Sequence, residues 1–184
     1  YLDAKSNQGT WLVRIEDIDT TRVVDGAAKD ILNTLEAYGL YWDEDVVYQT
    51  QRHDLYAHTI NNLNNQHLIY ACHCSRKEIK ALGGIYQGHC RHLKHSQNSS
   101  ALRLIQQHAT CQYHEDYLIK RSDGLFAYQL VVVADDIAQG ITHVVRGADL
   151  LEPTARQLSL FKQLAATAPY YAHLPLAVAK PGFK

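Results

Sequence analysis

The sequence has no methionine and only four prolines and two tryptophans among its 184 residues. It opens Tyr1-Leu2-Asp3 and closes at Lys184 just after a strand-like segment, so it reads as an internal piece of a longer protein. It has no apolar run near the ~18 residues that a membrane-spanning helix needs. A basic-then-apolar leader is also missing, which carries little weight in an internal piece. Positive charge is not in excess: 18 Lys and Arg stand against 19 Asp and Glu, for a formal charge of −1. That excludes a polybasic protein and restricts any nucleic-acid contact to a local patch. Neither common glycine-rich phosphate loop occurs, and no Ser/His/Asp arrangement has a supporting context. What remains is ordinary globular composition, 46% apolar and 20% charged, enough for one fair-sized domain or one with a small appendage.

Cysteine is scarce but concentrated. Of the four, Cys72, Cys74 and Cys90 crowd into one short window with His73, Tyr86, His89 and His92, while Cys111 stands apart as a buried apolar residue. Thiols one residue apart rarely pair with each other, and a secreted disulfide scaffold uses more cysteines on a shorter chain. The pattern suits a metal clip. Zinc takes four tetrahedral ligands and holds thiolates deprotonated at neutral pH. Three sulfurs leave one position, which residue chemistry would fill with His73, His89 or His92. Tyr86 is the poorer generic ligand, because a phenol with a pKa near 10 must lose its proton. The competing reading is three cysteines packed in a core. A closed site of four ligands fixes a loop rather than activating water.

Strands and helices alternate along the chain. Residues 11–16 alternate as a strand, and 25–38 carry Ala28, Ile31, Leu32, Leu35 and Tyr38 at helical spacing between an Asp25 cap and Gly39. A second helix is predicted over 52–65, a short strand over 68–71, and a short helix over 75–82 capped by Ser75 and broken at Gly83-Gly84. The polar stretch 92–100 reads as a mobile surface loop. The run 125–134 does not separate helix from strand, 141–145 reads as a strand, and Glu152-Pro153-Thr154 opens a helix that buries Leu158, Phe161 and Leu164. The pattern predicts an α/β domain with 67–112 inserted as a smaller unit.

Polar residues cluster at two predicted strand ends. Glu16, Asp17 and Asp19 follow the first strand, where an α/β sheet presents ligands and an acidic edge could hold an ammonium group. A solvated, turn-capping cluster is the equal alternative. Asp135-Asp136 reads as capping. Arg146, between Val145 and Gly147, could present its planar fork to a carboxylate or phosphate, although a lone surface arginine is commoner. Tyr128 either lines a pocket or completes the core.

The strings Trp11-Leu-Val-Arg-Ile-Glu-Asp-Ile-Asp19, Cys72-His-Cys74 and Gly84-Ile-Tyr86-Gln-Gly-His-Cys-Arg91 resemble the glutamyl-tRNA synthetase-like class I enzymes. Asp123-Gly-Leu-Phe-Ala-Tyr128-Gln-Leu and Val145-Arg-Gly-Ala-Asp-Leu-Leu-Glu-Pro-Thr154 resemble the short branch of that family, which lacks an anticodon-binding domain. The resemblance implies a Rossmann-like catalytic domain in two parts, 1–66 and 113–184, with a zinc-binding insertion over 67–112. It implies activation of L-glutamate by ATP, with Mg2+, independently of tRNA. Transfer to the queuosine base in the anticodon of tRNA(Asp) would follow, in a cytoplasmic monomer. By motif, Glu16, Tyr128 and Arg146 match the glutamate-binding positions, with Glu16 facing the ammonium and Arg146 a carboxylate. Cys72, Cys74, Tyr86 and Cys90 match the zinc ligands, so the resemblance selects the tyrosine.

The chain departs from the family pattern in three ways. The His-Ile-Gly-His-like signature would precede Tyr1, the Lys-Met-Ser-Lys-Ser-like loop would begin near Lys184, and the stretch from Cys90 to Asp123 is short. The two signatures position ATP and offset charge on its phosphates, so the 184 residues alone are expected to give no glutamate-dependent ATP–pyrophosphate exchange. Two alternatives stand beside this reading: a piece of a glutamyl-tRNA synthetase that charges the tRNA 3′ end, and a non-catalytic zinc-containing RNA-binding module.

Overall fold

The computed structural model describes residues 1–81, 83–86, 88–106 and 115–177. Cys111, expected as a buried apolar residue, lies outside them. The chain divides into two compact units, Tyr1–Asp54 and Leu55–Lys184.

The first unit contains helix α1 (Leu2–Ser6), strand β1 (Arg14–Ile15), helix α2 (Ala27–Ala37) and strand β2 (Val47–Tyr48). β1 and β2 pair in parallel, Arg14 opposite Val47 and Ile15 opposite Tyr48, so the strand predicted over 11–16 shortens to two residues. Parallel pairing needs a crossover, and α2 lies in it. The N-cap of α2 is Gly26 at φ +82°, not Asp25. Gly39 ends the helix as predicted: at φ +72° it donates to Glu36 O at 2.9 Å, and Leu40 donates to Leu35 O at 2.9 Å. The apolar stripe of α2 is not buried, with Ile31 and Tyr38 exposed. Val13, Ile18 and Gln49 are the buried residues of this unit. Its opening is tied down instead by Lys5, whose Nζ lies 2.6 Å from both oxygens of Asp43, while Asp43 also accepts from Trp11 N at 2.7 Å.

The second unit holds most of the core. After α3 (His53–Asn65), strands β3 (Ile69–Cys72), β4 (Ala101–Leu104) and β5 (Leu118–Lys120) form an antiparallel sheet in the order β3-β4-β5, with α4 (Arg76–Ala81) between β3 and β4. Helix α5 (Tyr128–Ala138), strand β6 (His143–Gly147), helix α6 (Leu151–Gln163) and strand β7 (Tyr170–Leu174) follow, with β6 and β7 parallel. Tyr56, Leu63, Leu104, Ile119, Leu130, Val131, Val133, Leu160 and Phe161 are almost fully enclosed.

The ambiguous run is helical because it is buried all round: every residue from Leu130 to Asp136 is buried, which leaves no period to read. Asp135 and Asp136 are therefore core residues and not caps. The hydroxyl of Tyr56 donates to both Asp135 oxygens, at 3.2 and 3.0 Å, satisfying a carboxylate that burial would otherwise make costly. On α6 the inner face is Thr154, Gln157, Leu160 and Phe161, while Leu158 is turned out at 43% exposure. The stretch 92–100 is more fastened than predicted. Ser100 is buried and accepts or donates to His73 Nε2 at 2.8 Å, His95 stacks on His73, and Gln97 donates to Asn64 Oδ1 at 2.8 Å.

Candidate metal centre and amino-acid site

Local sequence brings the three thiols together. β3 delivers Cys72 at its end, and Cys74 follows after one residue. Ser75 and Glu78 then start α4 by reciprocal capping: Glu78 N donates to Ser75 Oγ at 3.2 Å and Ser75 N to Glu78 Oε2 at 2.7 Å. Gly83 and Gly84, at φ +99° and +80°, turn the chain back toward Tyr86 and Cys90, a conformation that a residue with a Cβ rarely adopts. The sulfurs of Cys72, Cys74 and Cys90 all lie within 4.8 Å of one another.

This donor set fits a tetrahedral thiophilic dication. Zn–S bonds of about 2.3 Å put sulfurs about 3.8 Å apart, and Cys74 Sγ lies 3.5 Å from Cys90 Sγ. The hydroxyl oxygen of Tyr86 lies 3.4 Å from Cys72 Sγ, accepts from Cys90 N at 2.9 Å, and is carried by a ring that is 1% exposed. Among the described residues no histidine joins the group. His73 is engaged with Ser100 and His95, and the ring of His89 packs edge-on against Tyr86 at 5.7 Å. The three cysteines could thus hold a metal ion. Burial pushes the Cys74 thiol up to about 12, with the contact to Cys90 adding to it. Burial also raises the Tyr86 phenol, and the hydrogen bond from Cys72 adds. At Cys90 burial acts upward too, but the His73 backbone and then the Tyr86 hydroxyl prevail and hold the thiol below its ordinary value. Cys90 therefore ionises ahead of Cys74. A bound dication favours the ionised form at each of its ligands.

Two further residues, which the sequence reading missed, enclose this cluster. Arg103 on β4 is buried and donates Nε to Cys72 Sγ at 3.2 Å and Nη1 to Asp116 O at 2.7 Å, with its Cζ 3.7 Å from the Tyr86 ring centre. Asp116, 1% exposed, accepts from Tyr70 OH at 2.8 Å, from Arg91 through Nε and Nη2, and from Gln106 N at 2.9 Å. Neither has a signal in the sequence, because both are brought to the thiols by strand pairing and not by spacing.

The acidic edge after β1 separates into different roles. Asp17 is an anchor, accepting from Thr50 N at 2.9 Å and Thr50 Oγ1 at 2.6 Å. Asp19 accepts from Thr21 Oγ1 at 2.7 Å and faces Arg22 Nε at 3.5 Å. Asp19, with its local partners, follows the turn-capping alternative, whereas Asp17 makes a partly buried contact thirty-three positions along the chain. Glu16 is the exposed member, its carboxylate 3.6 Å from Arg14 Nη2.

In the second unit, Arg146 stands near the C-terminal end of β6, opposite His173 on β7. Its Nη2 donates to Gln157 Oε1 at 2.7 Å, Thr154 Oγ1 at 2.8 Å and Leu150 O at 3.2 Å, and its Nε to His173 Nε2 at 3.4 Å. The guanidinium also covers the Tyr171 ring, 4.9 Å from its centre. All these partners are neutral oxygens, an imidazole or a ring face. Among the described residues no carboxylate pairs with Arg146, and Nη1 has no hydrogen bond. The charge is aimed and left uncancelled, as a receptor for an anion requires. Tyr128 begins α5 and is 37% exposed. Tyr171 links these groups electrostatically: burial pushes its phenol up to about 12, Asp136 adds, Arg146 opposes and Tyr128 adds slightly. The Tyr171 hydroxyl and Gln157 Nε2 are buried without partners among the described residues. Thr154 and Gln157 lie three residues apart on the inner face of α6, the one sequence signal that could have linked them to Arg146. A cavity of about 340 Å³ lies at the other end of this region, lined by Asp136, Thr142 and Tyr170 at the N-terminal ends of β6 and β7.

The chain matches the family model "tRNA synthetases class I (E and Q), catalytic domain" in two overlapping segments, residues 1–115 and 104–182. It is 50% identical over 210 aligned positions to the glutamyl-Q tRNA(Asp) synthetase of Colwellia psychrerythraea, covering 100% of this chain and 67% of that protein. It is 51% identical over 199 positions to the protein of the same name from Salmonella choleraesuis, again covering all of this chain and 67% of the relative. The chain thus spans about two thirds of the length of these relatives. Among solved structures, the glutamate tRNA ligase of Elizabethkingia meningosepticum in complex with its amino acid superposes with a TM-score of 0.83 at 24% identity, covering 97% of this chain and 45% of that one. That likeness carries the fold: a Rossmann-like class I catalytic architecture with a small cysteine-bearing insertion. Among the described residues no helix is long and apolar enough to cross a membrane.

Proposed function

The chain belongs to the catalytic-domain family of class I tRNA synthetases for E and Q, and from that premise we propose that the complete protein activates L-glutamate with ATP, independently of tRNA, and transfers it to the queuosine base in the anticodon of tRNA(Asp). The name shared by its half-identical relatives supports this choice over 3′-end charging. In this reading the protein acts in the cytoplasm, where ATP, Mg2+ and tRNA are present, and it acts as a monomer. The observation that carries the amino-acid half is Arg146, a guanidinium held by neutral partners with Nη1 open.

Glutamate carries one ammonium and two carboxylates, so its recognition needs charges of both signs. We assign the exposed carboxylate of Glu16 to the ammonium, Arg146 to a carboxylate and Tyr128 to the wall of the site. Gln157, Thr154 and His173 fix the guanidinium before substrate arrives, so little reorganisation is needed on binding. Within the insertion, assigned to 67–112 between the catalytic segments 1–66 and 113–184, Cys72, Cys74, Cys90 and Tyr86 would hold one zinc ion. Four protein ligands leave no open position, so the ion would brace the fold.

The deciding experiment supplies the complete protein with labelled glutamate, ATP and one of three tRNAs: queuosine-containing tRNA(Asp), the same tRNA lacking queuosine, or tRNA(Glu). Label retained only on the queuosine-containing tRNA, and not at its 3′ end, is expected. Label at the 3′ end of tRNA(Glu) would overturn the proposal in favour of an ordinary synthetase, and no adenylate formation at all would favour a non-catalytic module.

A further inference from the structure

Arg103 is a buried cation without a carboxylate partner among the described residues, 8% exposed on the middle strand of the β3-β4-β5 sheet. Taking a guanidinium out of water costs several kcal/mol unless an opposite charge or a full set of acceptors replaces the solvent. What it meets is one backbone oxygen, Asp116 O at 2.7 Å, the sulfur of Cys72 at 3.2 Å, and the face of the Tyr86 ring at 3.7 Å. The carboxylate of Asp116 is taken by Arg91, Tyr70 and Gln106 N, and that of Glu115 by Arg156 and the backbone of Tyr86. With a neutral thiol and a neutral phenol this arrangement leaves the charge poorly compensated. A dication held by three thiolates and a phenolate carries two net negative charges, and Arg103 would then touch two of the four ligands and offset part of that excess.

We propose that Arg103 is a positioning residue of the metal site, whose guanidinium supplies the counter-charge that lets Cys72 and Tyr86 act together as anionic ligands. The inference rests on the metal-site reading above but adds a residue that binds no metal itself. It also gives a reason for a tyrosine at the fourth position. A cation over the ring face favours an anionic oxygen on that ring, whereas a neutral imidazole ligand would offer it no charge to compensate. The planar fork matters as well as the charge, since one group must reach a sulfur and a carbonyl while lying flat on the ring.

The test measures Zn2+ affinity of the complete protein by chelator competition, for the parent, Arg103→Gln, Arg103→Lys, Tyr86→Phe and the double variant Arg103→Gln/Tyr86→Phe. Partners one shell beyond a metal's ligands typically contribute about ten- to a hundred-fold in affinity, and a loss of that size is expected for Arg103→Gln. Arg103→Lys, which keeps the charge but not the fork, should lose less. If Arg103→Gln does not fold, the lysine variant and the Co2+-substituted parent carry the comparison, read from the visible bands of tetrahedral cobalt. Because Arg103 acts through Tyr86, the penalty of Arg103→Gln should shrink in the Tyr86→Phe background. Equal affinity of Arg103→Gln and parent, or fully additive penalties, overturns the proposal. A parent that binds no Zn2+ at all instead overturns the metal reading itself.

Discussion

The side-chain oxygen of Gln157 lies 2.7 Å from Nη2 of Arg146, so a helix residue of zero exposure supplies an uncharged acceptor to a cation eleven positions earlier in the chain. The neutrality of that acceptor matters. A carboxylate there would orient the guanidinium equally well but would cancel the charge that the proposed glutamate site relies on.

The substitution Gln157→Glu tests this directly. In the complete protein it should raise KM for glutamate about ten- to a hundred-fold, on the scale of about 1.5–3 kcal/mol for a charge-assisted hydrogen bond. KM for ATP should change little. Arg146→Ala should lower kcat/KM for glutamate by at least as much. Initial rates of glutamate-dependent pyrophosphate exchange measure both, and unaltered constants for Arg146→Ala would remove that residue from the site.

Cys74→Ser removes one of three sulfurs from the proposed zinc site. Metal analysis of the purified complete protein should show zinc falling from about one equivalent to a small fraction. Proteolysis should accelerate within 67–112, while the KM for glutamate stays within about twofold. Full zinc occupancy in this variant would contradict the assignment of the ligand.

The Tyr56 hydroxyl is a hydrogen-bond donor to the buried Asp135. Tyr56→Phe should cost about 1–3 kcal/mol, the usual penalty for removing a buried partner of a charged group. Calorimetry should then show a melting temperature lower by roughly 2–10 °C for a chain of this size. An unchanged melting temperature would show that the bond contributes nothing net.

Asp43 provides the pH dependence. The hydrogen bond from Lys5, and then that from Trp11 N, hold its carboxyl below the ordinary value. A depressed carboxyl stabilises the fold above the unfolded value, about 3.9, and that contribution is lost as pH falls further through the folded value. Stability of the first unit should decline below about pH 4, and the decline should be weaker in Asp43→Asn and at high salt. Denaturant melts at pH 3 and pH 6 check this, and identical pH profiles for parent and variant would refute it.

The thiol cluster was legible in the sequence because cysteine is rare and these three are locally spaced: Cys72, Cys74 and Cys90 sit on one short stretch, and no tertiary contact is needed to see them together, whereas Tyr86, one of twelve tyrosines, was singled out by the family resemblance. Residue chemistry alone favoured a histidine, and the described structure instead engages His73 with Ser100 and His95. Arg103 and Asp116 were invisible because pairing of β4 with β3 and β5 brings them in from a distance. Helix α3, with its apolar stripe, and α4, bracketed by the Ser75 cap and the Gly83-Gly84 break, were readable to within a residue or two, whereas α5, buried on all sides, showed no period. The alternation of 11–16 found β1 but over-extended it, while β2 and β5, of two and three residues, are too short for alternation to declare them. On α6 the inner face is partly polar, since Thr154 and Gln157 turn toward Arg146. A reading by hydrophobicity therefore placed Leu158 inside when it is outside.

Asp116 fastens Tyr70, Arg91 and the backbone of Gln106 to one carboxylate. One side chain thus joins strand β3, the segment just after Cys90 and the residues that follow β4. Loss of that single carboxylate would loosen three separate lengths of chain at once, so the integrity of this part of the molecule hangs on one residue far more than on any one strand pairing.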